Sequence, residues 1–384
     1  MMHPHDSEAA GLYIHIPFCA VRCRYCDFYS QVGADHLSPA YLAAVAQDIL
    51  SFPARSGYKP TVASIFLGGG TPSTAEPKAI SRLLDACRQA FPVSASCEVT
   101  LEANPESLTE EALRTYETCG INRLSIGVQS LRDEHLRMMG RPHDAAQAIE
   151  ALSMARRSGI DTISADFIYG LPGQSARAWR EDLAIISGLG LEHISAYILE
   201  TDKDTPLARE LASGSLPEPE AEEVAAQWEE TCEILEAEGY QRYEISNFAR
   251  PGRWCLHNLG YWSDRPYLGF GSSAHGYWAG QRTVVRMSAA EYIAAVENRK
   301  ETMEVVEPYV AGRRLAEAVV TGLRLAEGCD FAALSLRYGV DLFAMHAAAL
   351  ADEITAGRLA TDGVKVRLTP AGILYSNDVL CRFI

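Results

Sequence analysis

The chain has 384 residues, 48% of them apolar and 22% charged, a composition that suits a globular protein of about two or three domains. A net charge of −16 argues against sequence-independent nucleic-acid binding and against a polybasic lipid contact, both of which need a basic surface. No apolar run is long enough for a transmembrane segment, the first ten residues show neither a basic nor an apolar leader, and ten cysteines in a chain this long suit a reducing, cytoplasmic setting rather than a disulfide framework.

Six short β-like runs come first, at 12–16, 62–67, 97–102, 123–128, 162–167 and 193–199. Helical patterns lie between them at 39–50, 77–90, 108–119, 145–158 and 176–189. Such alternation predicts parallel strands joined by right-handed crossovers. Six units are too few to close the usual eight-stranded barrel. The expected fold is therefore α/β, an open, partial (β/α)6 barrel over residues 1–200.

Residues 201–219 are rich in Pro and acids and read as a linker. The stretch 200–240 holds 13 acids against Lys203 and Arg209, a balance of −11. Val224, Trp228, Cys232 and Leu235 recur there at helical spacing, so a solvated acidic helix is expected over 220–237, stopped by Gly239. A loop-rich stretch follows to 307, making 201–307 the second region. Helical patterns return at 308–327, 331–338 and 342–356, the last with Asp341 as N-cap and Gly357 beyond its end. Asp362-Gly363 predicts a hairpin turn between 358–361 and 364–368, and Thr369-Pro370 opens a last helix. Residues 308–384 thus read as a smaller, mostly helical C-terminal domain with a winged-helix-like end. Its eight basic and eight acidic residues give no support to DNA binding.

Polar residues gather where the first six runs end. Three cysteines follow the first, Gly68-Gly69-Gly70-Thr71 the second and Gln129 the fourth; Glu102 closes the third, and Asp166 and Tyr197 stand near the ends of the fifth and sixth. In βα barrels the C-terminal strand ends carry the chemistry. Strand ends that meet solvent are polar anyway, which accounts for one or two of these residues more easily than for all six.

Cys19, Cys23 and Cys26 lie in the run HIPFCAVRCRYC. Three thiolates this close can wrap one metal centre on a single loop, leaving a four-iron (4Fe-4S) cluster with one iron free of protein thiolate. That spacing is similar to the one in radical S-adenosylmethionine (SAM) proteins. A Cys3His zinc knot with His15 and a set of inert thiols are the alternatives. Zinc sites more often pair two Cys-x-x-Cys units, and no second unit is present here. The glycine run lets backbone approach a ligand closely, although a tight turn explains it about as well. Glu102 alone reads as a surface or capping carboxylate, and Arg141 as a solvated loop residue, yet a guanidinium fork suits a carboxylate ligand.

YIHIPFC with its two further cysteines, GGGTPS, LEANPES, SIGVQS, GRPH and DFIYGLPGQ occur in order from Tyr13 to Gln174, and GFGSSAHG follows at 269–276. Together these motifs resemble the oxygen-independent coproporphyrinogen oxidase superfamily of radical SAM proteins, over nearly the whole chain. The resemblance implies that Cys19, Cys23 and Cys26 ligate the cluster. It implies a SAM site lined by Tyr13, Gly69, Gly70, Thr71, Glu102, Gln129, Arg141 and Asp166, with Ile198 beside it. The oxidase branch carries a further cysteine where this chain has Phe28, and a long extension before the position of Tyr13. His257-Asn258-Leu259-Gly260-Tyr261-Trp262 matches the HNxxYW motif of the HemW-type haem chaperones.

That resemblance implies haem as a third cofactor, a haem-acceptor protein and an electron donor as partners, and leaves room for a homodimer. His257, with Tyr261 and Trp262 as walls, is the expected haem site, and His275 is a second candidate ligand. Without the family match, His257 reads as a loop-capping residue and Trp262 as core. The rival readings are porphyrinogen propionate decarboxylation and a non-enzymatic, metal-containing interaction protein.

Overall fold

The computed structural model describes residues 9–307 and 310–384. Six strands follow one another through the first half: β1 (Ala10–Ile16), β2 (Val62–Gly69), β3 (Val93–Ala103), β4 (Arg123–Gln129), β5 (Thr162–Tyr169) and β6 (His193–Ile198). All neighbours among them pair in parallel and in chain order. Helices cover the sheet, and its Leu12, Ile14, Ile65, Leu67, Leu101, Leu124 and Ile126 are fully buried. The crossover helix Ser38–Ser56 buries Leu42, Val45, Ile49 and Phe52 at helical spacing. Side chains of Thr109, Asp144 and Ser175 cap the later crossover helices.

Six shorter strands extend this sheet: β7 (Gln241–Arg242), β8 (Asn247–Ala249), β9 (Tyr267–Phe270), β10 (His275–Trp278), β11 (Gln281–Val284) and β12 (Glu304–Glu307). The sheet order is β12-β11-β10-β9-β1-β2-β3-β4-β5-β6-β8-β7, twelve strands with both edges open. It is an open α/β sheet, as expected, and not a closed barrel. β9 pairs in parallel with β1, and the outer strands on either side are antiparallel. The loop-rich reading of 240–307 is corrected here, because strands of two to four residues are too short to show a period.

The expected linker likewise carries a helix, Pro206–Ala212, capped by Thr205. Its Leu207 and Leu211 join Leu136, Met139, Ile168 and Leu171 in a small apolar cluster against which Tyr25 of the cysteine loop packs. The acidic helix runs Ala221–Ala237. Further on, the helix Ala311–Gly322 ends before the expected limit, and residues 308 and 309 lie outside the described ones. The pattern at 342–356 breaks at His346 into Leu342–Met345 and Ala347–Thr355. Asp341 is an N-cap, and Leu359–Thr361 and Lys365–Leu368 form the expected hairpin, with Cys329–Asp330 as a third strand. A buried ion pair from Arg314 to Asp264 ties this end to the sheet, with the Tyr338 hydroxyl 3.0 Å from the same carboxylate.

Candidate functional site

The cysteine loop leaves the C-terminal end of β1 and is held by backbone. Phe18–Cys19 pairs with Gln31–Val32, Thr71 N–H donates to the Phe18 carbonyl at 2.8 Å, and Arg24 N–H to the Met139 carbonyl at 2.9 Å. Thr71 Oγ1 donates to Cys19 Sγ at 3.5 Å, and Arg141 Nη1 lies 3.4 Å from Cys23 Sγ. All three thiols are free. Burial raises the pKa of Cys19, and that of Cys26 to about 11, so metal binding would release a proton from each. Among the described residues no three His, Cys, Asp or Glu side chains form a ready cage for a single ion. His15, the fourth ligand of a zinc knot, has Nδ1 3.0 Å from the Tyr13 hydroxyl and Nε2 2.9 Å from the Tyr29 carbonyl. Both ring nitrogens are engaged, which speaks against that knot.

The glycine turn faces the loop. Gly69 has φ +112°, and a Cβ there would come within 2.5 Å of the His15 ring; at Gly70 it would come within 2.7 Å of the Phe18 carbonyl. No side chain fits at either position, so bare backbone lies beside the thiols. Gly69 N–H donates to Glu102 Oε2 at 3.0 Å. Desolvation pushes Glu102 up to about 7, and the nearby Asp166 charge adds to that rise.

Asn104, which the sequence reading passed over inside LEANPES, joins these parts. Its Nδ2 donates to Thr71 Oγ1 at 3.2 Å and its Oδ1 accepts from Arg141 Nη2 at 2.8 Å. Arg141 Nη2 also donates to the Gly127 carbonyl at 2.6 Å, while its Nε is buried without a partner among the described residues.

Asp166 sits on β5 with Oδ2 accepting from Ser125 at 2.8 Å and Oδ1 from Ser164 at 3.3 Å; burial raises its pKa. Ser164 gives its one proton to Asp166 and so accepts from His193 Nδ1 at 2.8 Å. His193 Nε2 then accepts from the Tyr243 hydroxyl at 2.9 Å. Gln129 ends β4 with φ +70°, a left-handed turn seldom taken by residues other than glycine. Tyr13 stacks on Phe66 at 6.2 Å, and Tyr197 and Ile198 expose 41% and 51% of their surface at the rim. Cys19, Cys23, Cys26, Gly69, Gly70, Thr71, Glu102, Gln129 and Arg141 therefore share the C-terminal strand ends, with Tyr13 and Asp166 just beneath.

The HNxxYW residues lie beneath this rim, with the His257 ring 6.5 Å from that of Tyr13. They form the helix Leu256–Trp262, whose first turn is held by Glu98 accepting from the Leu256 and His257 amides at 2.9 and 3.0 Å. His257 is buried beside Gly11 and stacked on Phe66 at 5.0 Å. Its Nδ1 is 2.9 Å from Ser64 Oγ and its Nε2 2.9 Å from the Tyr261 hydroxyl. The open axial ligand expected from sequence is in this structure an interior residue with both nitrogens engaged. Tyr261 packs edge-on against Tyr267 at 4.6 Å. Trp262 keeps its Nε1 buried, with the Arg324 guanidinium 5.3 Å over its ring. His275 opens β10 and is exposed.

Three free thiols on one anchored loop, a bare glycine backbone and a buried, unpartnered Arg141 Nε fit a sulfur-bound cluster with an amino-acid ligand. Comparison with known proteins agrees. Residues 13–186 match the radical SAM superfamily and residues 313–375 the HemN C-terminal domain. The chain is 34% identical over 373 residues to the heme chaperone HemW of Bacillus subtilis, covering 97% of this chain and 98% of that protein. It is 33% identical over 379 residues to HemW of Mycobacterium tuberculosis, with coverages of 98% and 95%. Its fold is similar to that of coproporphyrinogen III oxidase (HemN) from Escherichia coli, with a TM-score of 0.85 at 24% identity, covering 98% of this chain and 90% of that one. At that identity the likeness speaks for the fold alone. Similarity at this level over nearly the full length of two HemW proteins means that the chain belongs to the HemW family of radical SAM proteins.

Proposed function

We propose that this protein is a haem chaperone that binds a 4Fe-4S cluster and SAM and passes haem to an acceptor protein. The observation that carries the reading is the cysteine loop set against the glycine turn and Arg141, in a chain whose near-full-length relatives are named heme chaperones. Cys19, Cys23 and Cys26 would hold the cluster. When bound, the cluster supplies a single electron to SAM, which requires an electron-donor partner. Gly69 and Gly70 would give backbone to the SAM amino group, Arg141 would hold the carboxylate, and Glu102 would accept from the amine or the ribose hydroxyls. Tyr13, Thr71, Gln129 and Asp166 would complete the lining.

Ten free cysteines fit a reducing compartment, and we place the protein in the cytoplasm on that ground. Among the described residues no helix is long and apolar enough to cross a membrane. The test is a haem titration of anaerobically reconstituted protein, with and without SAM, followed by mixing with an apo-haem protein. A saturating haem spectrum and its decay as the acceptor fills are expected. A chain that binds no haem under either condition is not a haem chaperone.

A further inference from the structure

A second concavity lies far from the cysteine loop. A cavity of about 880 Å3 opens beside the N-terminal end of β6, where Ala249 of β8 pairs with His193. Trp254 lines it with an exposed ring over a floor to which the buried Tyr240, Tyr243 and Phe248 contribute, and Leu256 and Leu259 line it from the helix that carries His257. That helix turns His257 inward and leaves Leu256, 44% exposed, at the lip. Two guanidinium groups reach the same cavity. Arg242 donates to the Glu244 carbonyl and not to a carboxylate, and Arg265 is exposed. Of the two acids in the lining, Glu327 is held by Lys365 Nζ at 2.7 Å, and Glu236 stands exposed.

We propose that this cavity seats the haem, with the macrocycle against Trp254 and the two leucines and its two carboxylates on Arg242 and Arg265. The proposal rests on the haem-chaperone reading above. The volume lies within the range of cavities that enclose one organic cofactor. A flat apolar ring system needs apolar and aromatic walls. Two carboxylates match two guanidiniums. The exposed lip of Trp254 and Leu256 leaves one edge of the ring open, as release to an acceptor requires. The HNxxYW helix then serves haem through its outer face, with His257 holding that helix to β2.

The test titrates haem and haem dimethyl ester, which lacks free carboxylates, into the anaerobically reconstituted full chain and three variants. Leu259→Trp narrows the cavity and should weaken both ligands about tenfold or more. Arg265→Glu alters only an exposed side chain. It should weaken haem roughly 3- to 10-fold and leave the diester unchanged. Iron content should stay at the wild-type level in both. If Leu259→Trp fails to fold, the contrast between haem and diester in Arg265→Glu still decides. Wild-type affinity of both variants for both ligands, or a loss confined to His275→Ala, would overturn the cavity assignment while leaving haem binding intact. A wild-type chain that binds no haem would overturn the functional reading itself, and this inference with it.

Discussion

His257 Nε2 and the hydroxyl of Tyr261, one helical turn further on, lie 2.9 Å apart. Ser64 on β2 takes the other ring nitrogen at the same distance. The imidazole therefore fastens the HNxxYW helix to the sheet, and burial lowers its pKa to about 3.

The unfolded chain protonates this histidine near pH 6.5, whereas the folded chain does not. Above that pH the neutral ring carries no penalty. As the pH falls from about 6.5 toward 3, the unfolded state binds the extra proton and stability drops by about 1.4 kcal/mol per pH unit. The thermal midpoint of the wild type should therefore fall more steeply between pH 7 and 5 than that of His257→Gln. Parallel slopes would mean that His257 is not a neutral, buried group.

Cluster assembly should follow the cysteine loop. Anaerobic reconstitution should give a brown protein with about four irons per chain, whose electron resonance signal, once reduced, changes when SAM is added. Cys23→Ala should abolish that signal. A colourless protein with one zinc per chain would favour the zinc knot, against the two hydrogen bonds that engage His15.

Arg141 keeps its buried Nε without a partner among the described residues. Arg141→Ala should weaken SAM binding by about 10- to 150-fold, the loss of a charge-assisted contact of roughly 1.5–3 kcal/mol. Iron content should not change. Unaltered SAM affinity would reduce Arg141 to a strut between Asn104 and the Gly127 carbonyl.

Glu102 predicts the pH dependence of SAM binding. Its carboxyl is pushed up to about 7 in the free protein, so it is partly protonated at neutral pH. Only the ionised form attracts a cationic ligand, so SAM affinity should rise from pH 6 to 8 and then level off. Glu102→Gln should flatten that rise, as calorimetric titration at three pH values would reveal. A rise of the same size in the variant would assign the effect to another group.

Phe28 stands, 65% exposed, where the oxidase branch of the resembling superfamily carries a cysteine. Coproporphyrinogen should remain unconverted under reducing, SAM-replete conditions. A vinyl product formed at a rate dependent on Cys19 would show that the chain is an oxidase after all.

The sequence by itself determined the parts whose signals are local. Cys19, Cys23 and Cys26 sit within eight residues of one another, the glycine turn and Glu102 mark strand ends, and six short β-like runs alternating with helical patterns announced the parallel core. Asp341 and the Asp362-Gly363 turn were legible for the same reason, since caps and turns act over two to four residues. Tertiary structure alone decided what depends on strand order and on pairs far apart in the chain. Arg141 meets Asn104 across 37 residues and Cys23 across 118, and His257 finds Ser64 across 193. Strands of two to four residues took their identity from the neighbour they pair with, not from any period of their own. His257 shows the division most clearly. Its motif marked it as functional, yet whether an imidazole opens to a ligand or closes on a core is set by the residues that other strands bring beside it.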